Sequence, residues 1–252
     1  MSLIELNTYA VYWIMIAIIL VPIQLKIVAP YGRHSHNKWG LMIDNKWGWV
    51  AMEIVSPLVL LYFLLQASES FHGISIFIAC LWLLHYFNRS IIFPFRIKTK
   101  GKKMPLIIAL SAIFFNSINA GLNGLYLGNY GHLYNEDWLM DGRFMVGLLI
   151  FLVGACINIQ SDNILLGLRK PNQQGYVIPK GGLFSYVSCP NHFGEIIEWM
   201  GFAILCWNLT ALSFAIWTAA NLIPRAIAHH QWYKEKFPDY PKGRKAVIPF
   251  IF

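Results

Sequence analysis

The chain has 252 residues, of which 57% are hydrophobic and 13% charged, with a formal net charge of +8. Soluble domains carry about 25% charged residues, so this composition excludes an ordinary soluble domain and indicates a polytopic, all-α membrane protein. The length fits one compact bundle over residues 1–252 rather than two domains. Four cysteines lie far apart and show neither metal-ligand nor disulfide spacing, so we expect no metal site.

Seven apolar segments follow one another along the chain, and a membrane-spanning helix needs about 20 such residues. They lie near residues 8–28, 48–67, 72–95, 105–127, 142–163, 193–208 and 211–233. The sixth segment is short, and only residues 207–210 separate it from the seventh, so these two could also form one bent hairpin. We predict seven transmembrane helices.

The basic residues agree with this division of the chain. Of the 20 Lys and Arg residues, 17 fall in the loops after the first, third and fifth predicted helices and in the C-terminal tail. The positive-inside rule then places the N-terminus outside and the C-terminus in the cytoplasm. Most of the positive charge is thus a topology signal and not a sign of nucleic-acid binding, with a share left for an anionic ligand.

Polar side chains inside the predicted helices indicate a buried site, because such groups in a membrane must face protein, water or a ligand. They include Glu53, His85, Tyr86, Asn88, Arg89, Asn116, Asn119, Asn123, Asn158, Asp162, Arg225, His229 and His230. Most lie in the cytoplasmic halves of their helices, so we expect a polar cavity that is open to the cytoplasm and closed toward the outside.

Structural interpretations of the same residues are also available. The three asparagines of the fourth predicted helix could form hydrogen bonds between helices. Arg89 could extend its charged end to the membrane interface. Asp162 could form a structural ion pair with Arg169.

Residues 176–199 depart most from a plain membrane protein. A Pro-Lys-Gly-Gly turn precedes a new helix, which carries Glu195 and Glu198 on one face into an apolar run. Asn191 and His192 lie about one turn earlier, so we interpret this segment as the rim of the buried polar site. No Rossmann, P-loop or H-E-x-x-H motif occurs, so a nucleotide would bind without a Rossmann fold.

The C-terminal half resembles the steroid 5α-reductase family. The matching segments are 158–162, 168–171, 176–199, 225–226, 229–230, 233 and 239–252, and together they cover residues 155–252 almost without a break. Looser matches lie at residues 31–34, at Glu53 and at residues 85–89. The loop after the third predicted helix departs from the family in length and carries extra lysines.

This resemblance implies an integral membrane reductase with seven helices, NADPH as its cofactor and a cofactor-binding half over residues 155–252. The enzyme would transfer a hydride to a 3-oxo-Δ4 steroid and so produce a 5α-3-oxo steroid. By position, Glu53 and Tyr86 match the pair that binds the substrate ketone. The residues that match the cofactor site are Asn158, Asp162, Arg169, Tyr176, Asn191, Glu195, Arg225, His229, Tyr233 and Arg244.

The chemistry of these side chains agrees with that function. Hydride addition to an enone pushes negative charge onto the ketone oxygen, and a Tyr hydroxyl supported by a Glu can stabilise that charge. Cytoplasmic arginines suit the phosphates of NADPH, and a steroid taken from the bilayer needs an apolar slot. The candidate lining residues are Phe114, Phe115, Trp199, Phe214 and Trp217. We expect the protein to be a monomer.

Other functions remain open from the residues alone. A reductase of another sterol, a polyprenol or an enoyl lipid is the nearest alternative. A membrane methyltransferase similar to the isoprenylcysteine carboxyl methyltransferases would bind S-adenosylmethionine and would not need Glu53 with Tyr86. A lipid carrier or channel would place polar residues along the full membrane depth, whereas here they become fewer toward the outside.

Overall fold

The computed structural model describes residues 1–67, 73–97, 101–168 and 175–252, and the predicted site residue Arg169 lies outside these ranges. The described chain is predominantly helical. Its helices are α1 (Leu3–Lys26), α2 (Asn45–Leu65), α3 (Ile74–Phe87), the short α4 (Phe93–Arg96), α5 (Leu106–Tyr130), α6 (Gly142–Gly167), α7 (Pro190–Cys206) and α8 (Leu209–Lys236). Each predicted apolar segment overlaps one of these helices, with α3 and α4 forming the third.

In the part of the chain that the structure describes, six helices are long and apolar enough to cross a membrane, which indicates an integral membrane protein. They are α1, α2, the continuous helix that runs from Ile74 to Arg96, α5, α6 and α8. The remaining long helix, α7, has 17 residues and falls short of that set. It is nevertheless buried on much of its surface between α6 and α8.

The helix boundaries follow from local chemistry. Ser2 and Asp44 accept hydrogen bonds from free backbone N–H groups at the starts of α1 and α2, and Asn208 does the same for α8. Trp207 ends α7 in the left-handed conformation, with φ at 48°. Because this turn is so tight, only two residues lie between the end of α7 and the start of α8, and the sixth and seventh predicted segments form two separate helices.

Helices α6 and α7 are in backbone contact through paired glycines. A Cβ atom at Gly154 of α6 would collide with the backbone of Glu198, and one at Gly194 of α7 would collide with the backbone of Asn158. Small residues at helix contacts allow this close approach in membrane proteins. The contact places Asn158 directly against the first turn of α7.

The other long helices pack as two further pairs, α2 against α5 and α1 against α8. A short two-stranded antiparallel sheet joins the segment after α1 to the segment before α5. It is formed by β1 (Met42–Asp44) and β2 (Lys103–Pro105), with Ile43 opposite Met104. The sheet therefore holds the loop after α1 next to the segment that leads into α5.

A π-helical turn at Asn88–Ile92 interrupts the third predicted segment between α3 and α4. Such a turn leaves backbone groups without their usual helical partners and is frequent at functional sites. Here the indole nitrogen of Trp49 on α2 donates to the carbonyl oxygen of Arg89 at 3.2 Å. The turn is thus tied to α2, and it carries Arg89 about one helical turn after Tyr86.

Candidate active site

A cavity of about 550 Å³ is bordered by six helices, α1, α2, α3, α5, α7 and α8. Its polar wall contains Glu53, Tyr86, Arg89, Asn116 and Glu195. Its apolar wall contains Trp13, Ile16, Phe114, Phe115, Phe214 and Trp217. A mostly apolar cavity of this size with a few convergent polar groups is typical of a site for a small ligand.

Glu53 of α2 and Tyr86 of α3 line this same cavity. Asn116 of α5 lies between their helices: its Oδ1 accepts from the Tyr86 hydroxyl at 3.4 Å, and its Nδ2 donates to the carbonyl oxygen of Met52 at 2.7 Å. The Glu53 carboxyl interacts with the Asn116 side chain and with the charge of Arg89. The two residues that the resemblance pairs are therefore joined through a third side chain.

Arg89 is buried and paired with carboxylates. Its Nη1 donates to Asp162 Oδ2 at 3.1 Å, and its Nη2 lies 3.8 Å from Glu195 Oε2. Its guanidinium also stacks over the rings of Trp49 and Phe93. The interpretation of Arg89 as a side chain that reaches the membrane interface is therefore wrong. Within the described residues, the ion-pair partner of Asp162 is Arg89.

A second buried ionisable pair lies behind the cavity. His85 Nδ1 and Glu198 Oε1 are 2.8 Å apart, and the two side chains are 6% and 3% exposed. The other carboxyl oxygen, Glu198 Oε2, is buried with no hydrogen-bond partner in the part of the chain that the structure describes. The sequence placed both residues among polar groups, but no spacing pattern connects positions so far apart on different helices.

The first turn of α7 meets α6 through Asn158. Its Nδ2 donates to the carbonyl oxygen of Asn191 at 3.0 Å and to Glu195 Oε2 at 3.3 Å. Three of the predicted cofactor residues are thus in mutual contact. They lie next to Arg89, through Glu195, and so border the polar wall of the cavity.

Arg225 of α8 holds the loop that follows α1. Its Nη1 donates to the carbonyl oxygen of Ala29 and its Nη2 to that of Tyr31, at 2.5 and 2.7 Å. The guanidinium carbon lies 3.8 Å from the centre of the Tyr31 ring. Arg225 therefore anchors this loop through its two terminal nitrogens.

Two other arginines keep unused donors. Arg33 Nη2 donates to the Tyr233 hydroxyl at 3.1 Å, and Arg244 Nη2 donates to the carbonyl oxygen of Pro179 at 3.0 Å. Arg33 Nη1, Arg244 Nε and Arg244 Nη1 are buried without a hydrogen-bond partner among the described residues. Unpaired buried donors are rare in folded proteins, so these atoms point to a bound anionic ligand.

Aromatic rings surround Arg33. Its guanidinium carbon lies 4.4 Å from the ring centre of Tyr233, 4.8 Å from that of Trp232 and 5.5 Å from that of Tyr176. Two predicted cofactor residues, Tyr176 and Tyr233, are thus brought together by an arginine that the sequence analysis did not select. Its only signal was a place in the segment 31–34, which matches the family loosely.

A histidine pair lies beside these arginines. His34 Nε2 and His229 Nδ1 are 3.0 Å apart and their rings are stacked. Burial, with the nearby charges of Arg225 and Arg33, lowers the pKa of His34 to about 4. His34 is therefore neutral at neutral pH, and a single hydrogen lies between its Nε2 and the Nδ1 of His229. The predicted cofactor residue His229 is held in place by this contact.

The aromatic residues predicted to form a substrate slot divide into two groups. Phe114, Phe115, Phe214 and Trp217 line the cavity. Trp199 does not: it is 1% exposed, and its ring centre lies 4.5 Å from that of Phe214. The Trp199 ring therefore packs against the lining residue Phe214, and a contact between Trp199 and the substrate stays a prediction.

The three asparagines of α5 have different surroundings. Asn119 accepts from the Trp13 indole at 3.0 Å, and Asn123 donates to the carbonyl oxygen of Thr210 at 3.3 Å. Both therefore join helices, as intramembrane asparagines commonly do. Only Asn116 among the three lies on the cavity.

Known proteins match this chain over most of its length. Residues 102–252 match the family model described as 3-oxo-5-alpha-steroid 4-dehydrogenase. Steroid 5-alpha-reductase DET2 of Gossypium hirsutum is 44% identical over 230 residues, which cover 89% of this chain and 88% of that protein. The protein named 3-oxo-5-alpha-steroid 4-dehydrogenase 1 of Bos taurus is 41% identical over 234 residues, which cover 91% of this chain and 90% of that protein. The protein of the same name from Homo sapiens is 42% identical over 226 residues, which cover 88% of this chain and 86% of that protein.

Proposed function

Since this chain belongs to the 3-oxo-5-alpha-steroid 4-dehydrogenase family and is an oxidoreductase that acts on a CH–CH group, we propose that it uses NADPH to convert 3-oxo-Δ4 steroids into 5α-3-oxo steroids. We extend the proposal to topology, with α7 as a seventh span, the N-terminus outside and the site open to the cytoplasm. The basic loops support this orientation. The steroid enters from the bilayer, and the functional unit is a monomer.

The observation that carries the proposal is the composition of the cavity. Glu53, Tyr86 and Asn116 form a small polar surface of its lining, and most of the other lining residues form an apolar surface. A flat, apolar molecule with a single ketone oxygen matches both surfaces. Its ring system would pack against the apolar side chains, and its oxygen would accept hydrogen bonds from the Tyr86 hydroxyl and the protonated Glu53 carboxyl.

Tyr86 and Glu53 act on the ketone in this account. As the carbon–carbon double bond is reduced, negative charge develops on the ketone oxygen. A hydrogen bond from Tyr86, and one from Glu53 in its protonated form, stabilises that charge as it forms. The walls of Phe115, Phe214 and Trp217 keep water away from the reacting end of the steroid, which strengthens these hydrogen bonds.

Two groups of residues fit NADPH in this proposal. Arg33 and Arg244 offer unpaired buried N–H groups to phosphate oxygens, which charge-assisted hydrogen bonds favour. Asn158, Asn191 and Glu195 supply amide and carboxylate groups beside Arg89. The bound nicotinamide would supply the hydride, and the protein would supply orientation and electrostatics. Tyr176, His229 and Tyr233 complete this region around Arg33 and His34.

Asp162 and Arg225 have a different role in this proposal. Asp162 neutralises Arg89, and Arg225 holds the loop that carries Arg33 and His34. Both support the cofactor site by keeping other groups in place. Loss of either side chain would weaken cofactor binding indirectly, with a loss of stability as the first effect.

Titration of the purified protein with NADPH, NADH and S-adenosylmethionine tests this function, followed by incubation with a 3-oxo-Δ4 steroid. We expect NADPH to bind most tightly and the product to gain two hydrogens. Binding of S-adenosylmethionine without NADPH binding would indicate a methyltransferase. Tight NADPH binding without steroid turnover would indicate a reductase of another lipid.

A further inference from the structure

Asn116 has a side-chain orientation that its neighbours fix. Its Nδ2 lies 2.7 Å from the carbonyl oxygen of Met52, which can only accept a hydrogen bond. An amide turned the other way would place two acceptor oxygens against each other. The amide nitrogen therefore faces α2, and the amide oxygen, Oδ1, faces Tyr86.

This orientation decides where the Tyr86 hydrogen points. Asn116 Oδ1 has no hydrogen, so in the 3.4 Å contact the Tyr86 hydroxyl must be the donor. Asn116 lines the cavity, so the hydroxyl hydrogen is held at the cavity surface. A distance of 3.4 Å is long for an O–H···O hydrogen bond, and an incoming ketone at ordinary distance replaces it at little cost.

Tyr86 also has competing partners. The Ser56 hydroxyl is within hydrogen-bonding reach of Tyr86, and the Glu53 carboxyl is near it. Ser56 is 0% exposed and lies outside the cavity lining, where it accepts from the Trp82 indole at 3.0 Å. A Tyr86 hydroxyl that turned toward Ser56 would point its hydrogen away from a substrate.

We propose that Asn116 is a positioning residue that holds the Tyr86 hydroxyl hydrogen toward the substrate ketone. This inference rests on the proposed function, because it gives Tyr86 the role of ketone donor. Asn116 acts through Tyr86, so its contribution appears in the rate of the chemical step and disappears when Tyr86 loses its hydroxyl. It does not contribute to holding NADPH.

The experiment compares Asn116→Leu with Asn123→Leu. Both changes remove a buried asparagine from α5, but among the described residues the Asn123 side chain forms hydrogen bonds only with Asn119 and Thr210, away from the cavity lining. We expect Asn116→Leu to lower kcat roughly tenfold, the scale of one lost hydrogen bond, with the Kd for NADPH unchanged. Asn123→Leu should lower the thermal unfolding temperature and leave kcat of the folded enzyme unchanged.

Combination with Tyr86→Phe separates positioning from a structural effect. On the Tyr86→Phe background, we expect Asn116→Leu to have no further effect on kcat. An equal tenfold loss on both backgrounds, or equal losses of kcat for the Asn116 and Asn123 variants, would overturn the inference. If Asn116→Leu does not fold, Asn116→Ser serves in the same comparison, because its short side chain cannot contact both Met52 and Tyr86.

The same data distinguish this inference from the proposed function. Normal turnover by Tyr86→Phe would remove the ketone donor itself and with it the proposed chemistry. Impaired turnover by Tyr86→Phe together with normal turnover by Asn116→Leu would leave the chemistry intact and contradict the role of Asn116 alone.

Discussion

Arg89 Nη1 donates to Asp162 Oδ2 across 3.1 Å, and this contact joins the π-helical turn after α3 to α6. The two side chains are only 12% and 8% exposed, so little solvent screens their charges. Glu195 lies on the other side of Arg89, at 3.8 Å. The guanidinium is therefore the central charge of a buried cluster between three helices.

Asp162→Asn should destabilise the protein because Arg89 loses its nearest counter-charge. Removal of one member of a buried pair costs about 3–5 kcal/mol, so we expect a clear fall in the thermal unfolding temperature. Asp141→Asn is the matched control, because the pair of Asp141 with Arg143 is more accessible to solvent, at 27% and 40% exposure, and its loss should have a smaller effect. Equal falls for both variants would contradict the importance of the buried pair.

Arg244→Met should weaken NADPH binding, because Arg244 Nε and Nη1 have no hydrogen-bond partner among the described residues and would donate to phosphate oxygens in the proposed site. The loss of a charge-assisted hydrogen bond costs about 1.5–3 kcal/mol, which corresponds to a tenfold or larger rise in Kd. Arg33→Met should behave in the same way. Arg143→Met, at the more accessible pair with Asp141, serves as the control in a calorimetric titration. Unchanged Kd values for both Arg33 and Arg244 variants would move the phosphate site elsewhere.

Gly154→Ala should disrupt the contact between α6 and α7, because the added methyl group would collide with the Glu198 backbone. We expect a large fall in unfolding temperature and a loss of cofactor binding, since Asn158 and Glu195 lie at the same contact. Gly167→Ala, on the same helix, adds a methyl group where no atom from another part of the described chain lies within 4 Å, and it should be tolerated. The comparison needs only thermal unfolding in detergent.

The pH dependence of stability should carry a contribution from His34. The folded protein holds its pKa at about 4, whereas the unfolded chain takes up the proton near 6.5. Protonation therefore favours the unfolded state, and this stability is complete above pH 6.5 and declines as the pH falls toward 4. Unfolding temperatures measured from pH 7.5 to 5 should fall more steeply for the natural protein than for His34→Gln. Parallel profiles would show that His34 contributes nothing.

The helices were predictable from the sequence because each hides apolar residues from water or faces lipid. The predicted C-terminal end of the last helix was residue 233, whereas α8 continues to Lys236. The presence of Glu53 and Tyr86 on one cavity was also expected, because polar groups inside a membrane protein must face its interior.

Other features had no local signal. The π-helical turn at Asn88–Ile92 depends on a hydrogen bond from Trp49, which lies on another helix. The role of Arg33 depends on rings that are contributed by residues some 200 positions later. Trp199 was expected at the cavity because it is large and apolar. Size and apolarity do not show whether a ring lines a cavity or packs against another side chain, as the Trp199 ring packs against Phe214.

The most direct test of the account is steroid reduction by Glu53→Ala and Tyr86→Phe, measured with purified protein that still binds NADPH. The account predicts that each change lowers kcat roughly 100-fold or more, as the loss of an oxyanion donor does in other enzymes, with the Kd for NADPH unchanged. The double variant should be little worse than the poorer single variant, because the two residues act on one oxygen. Near-normal turnover of a 3-oxo-Δ4 steroid by both single variants would contradict the account.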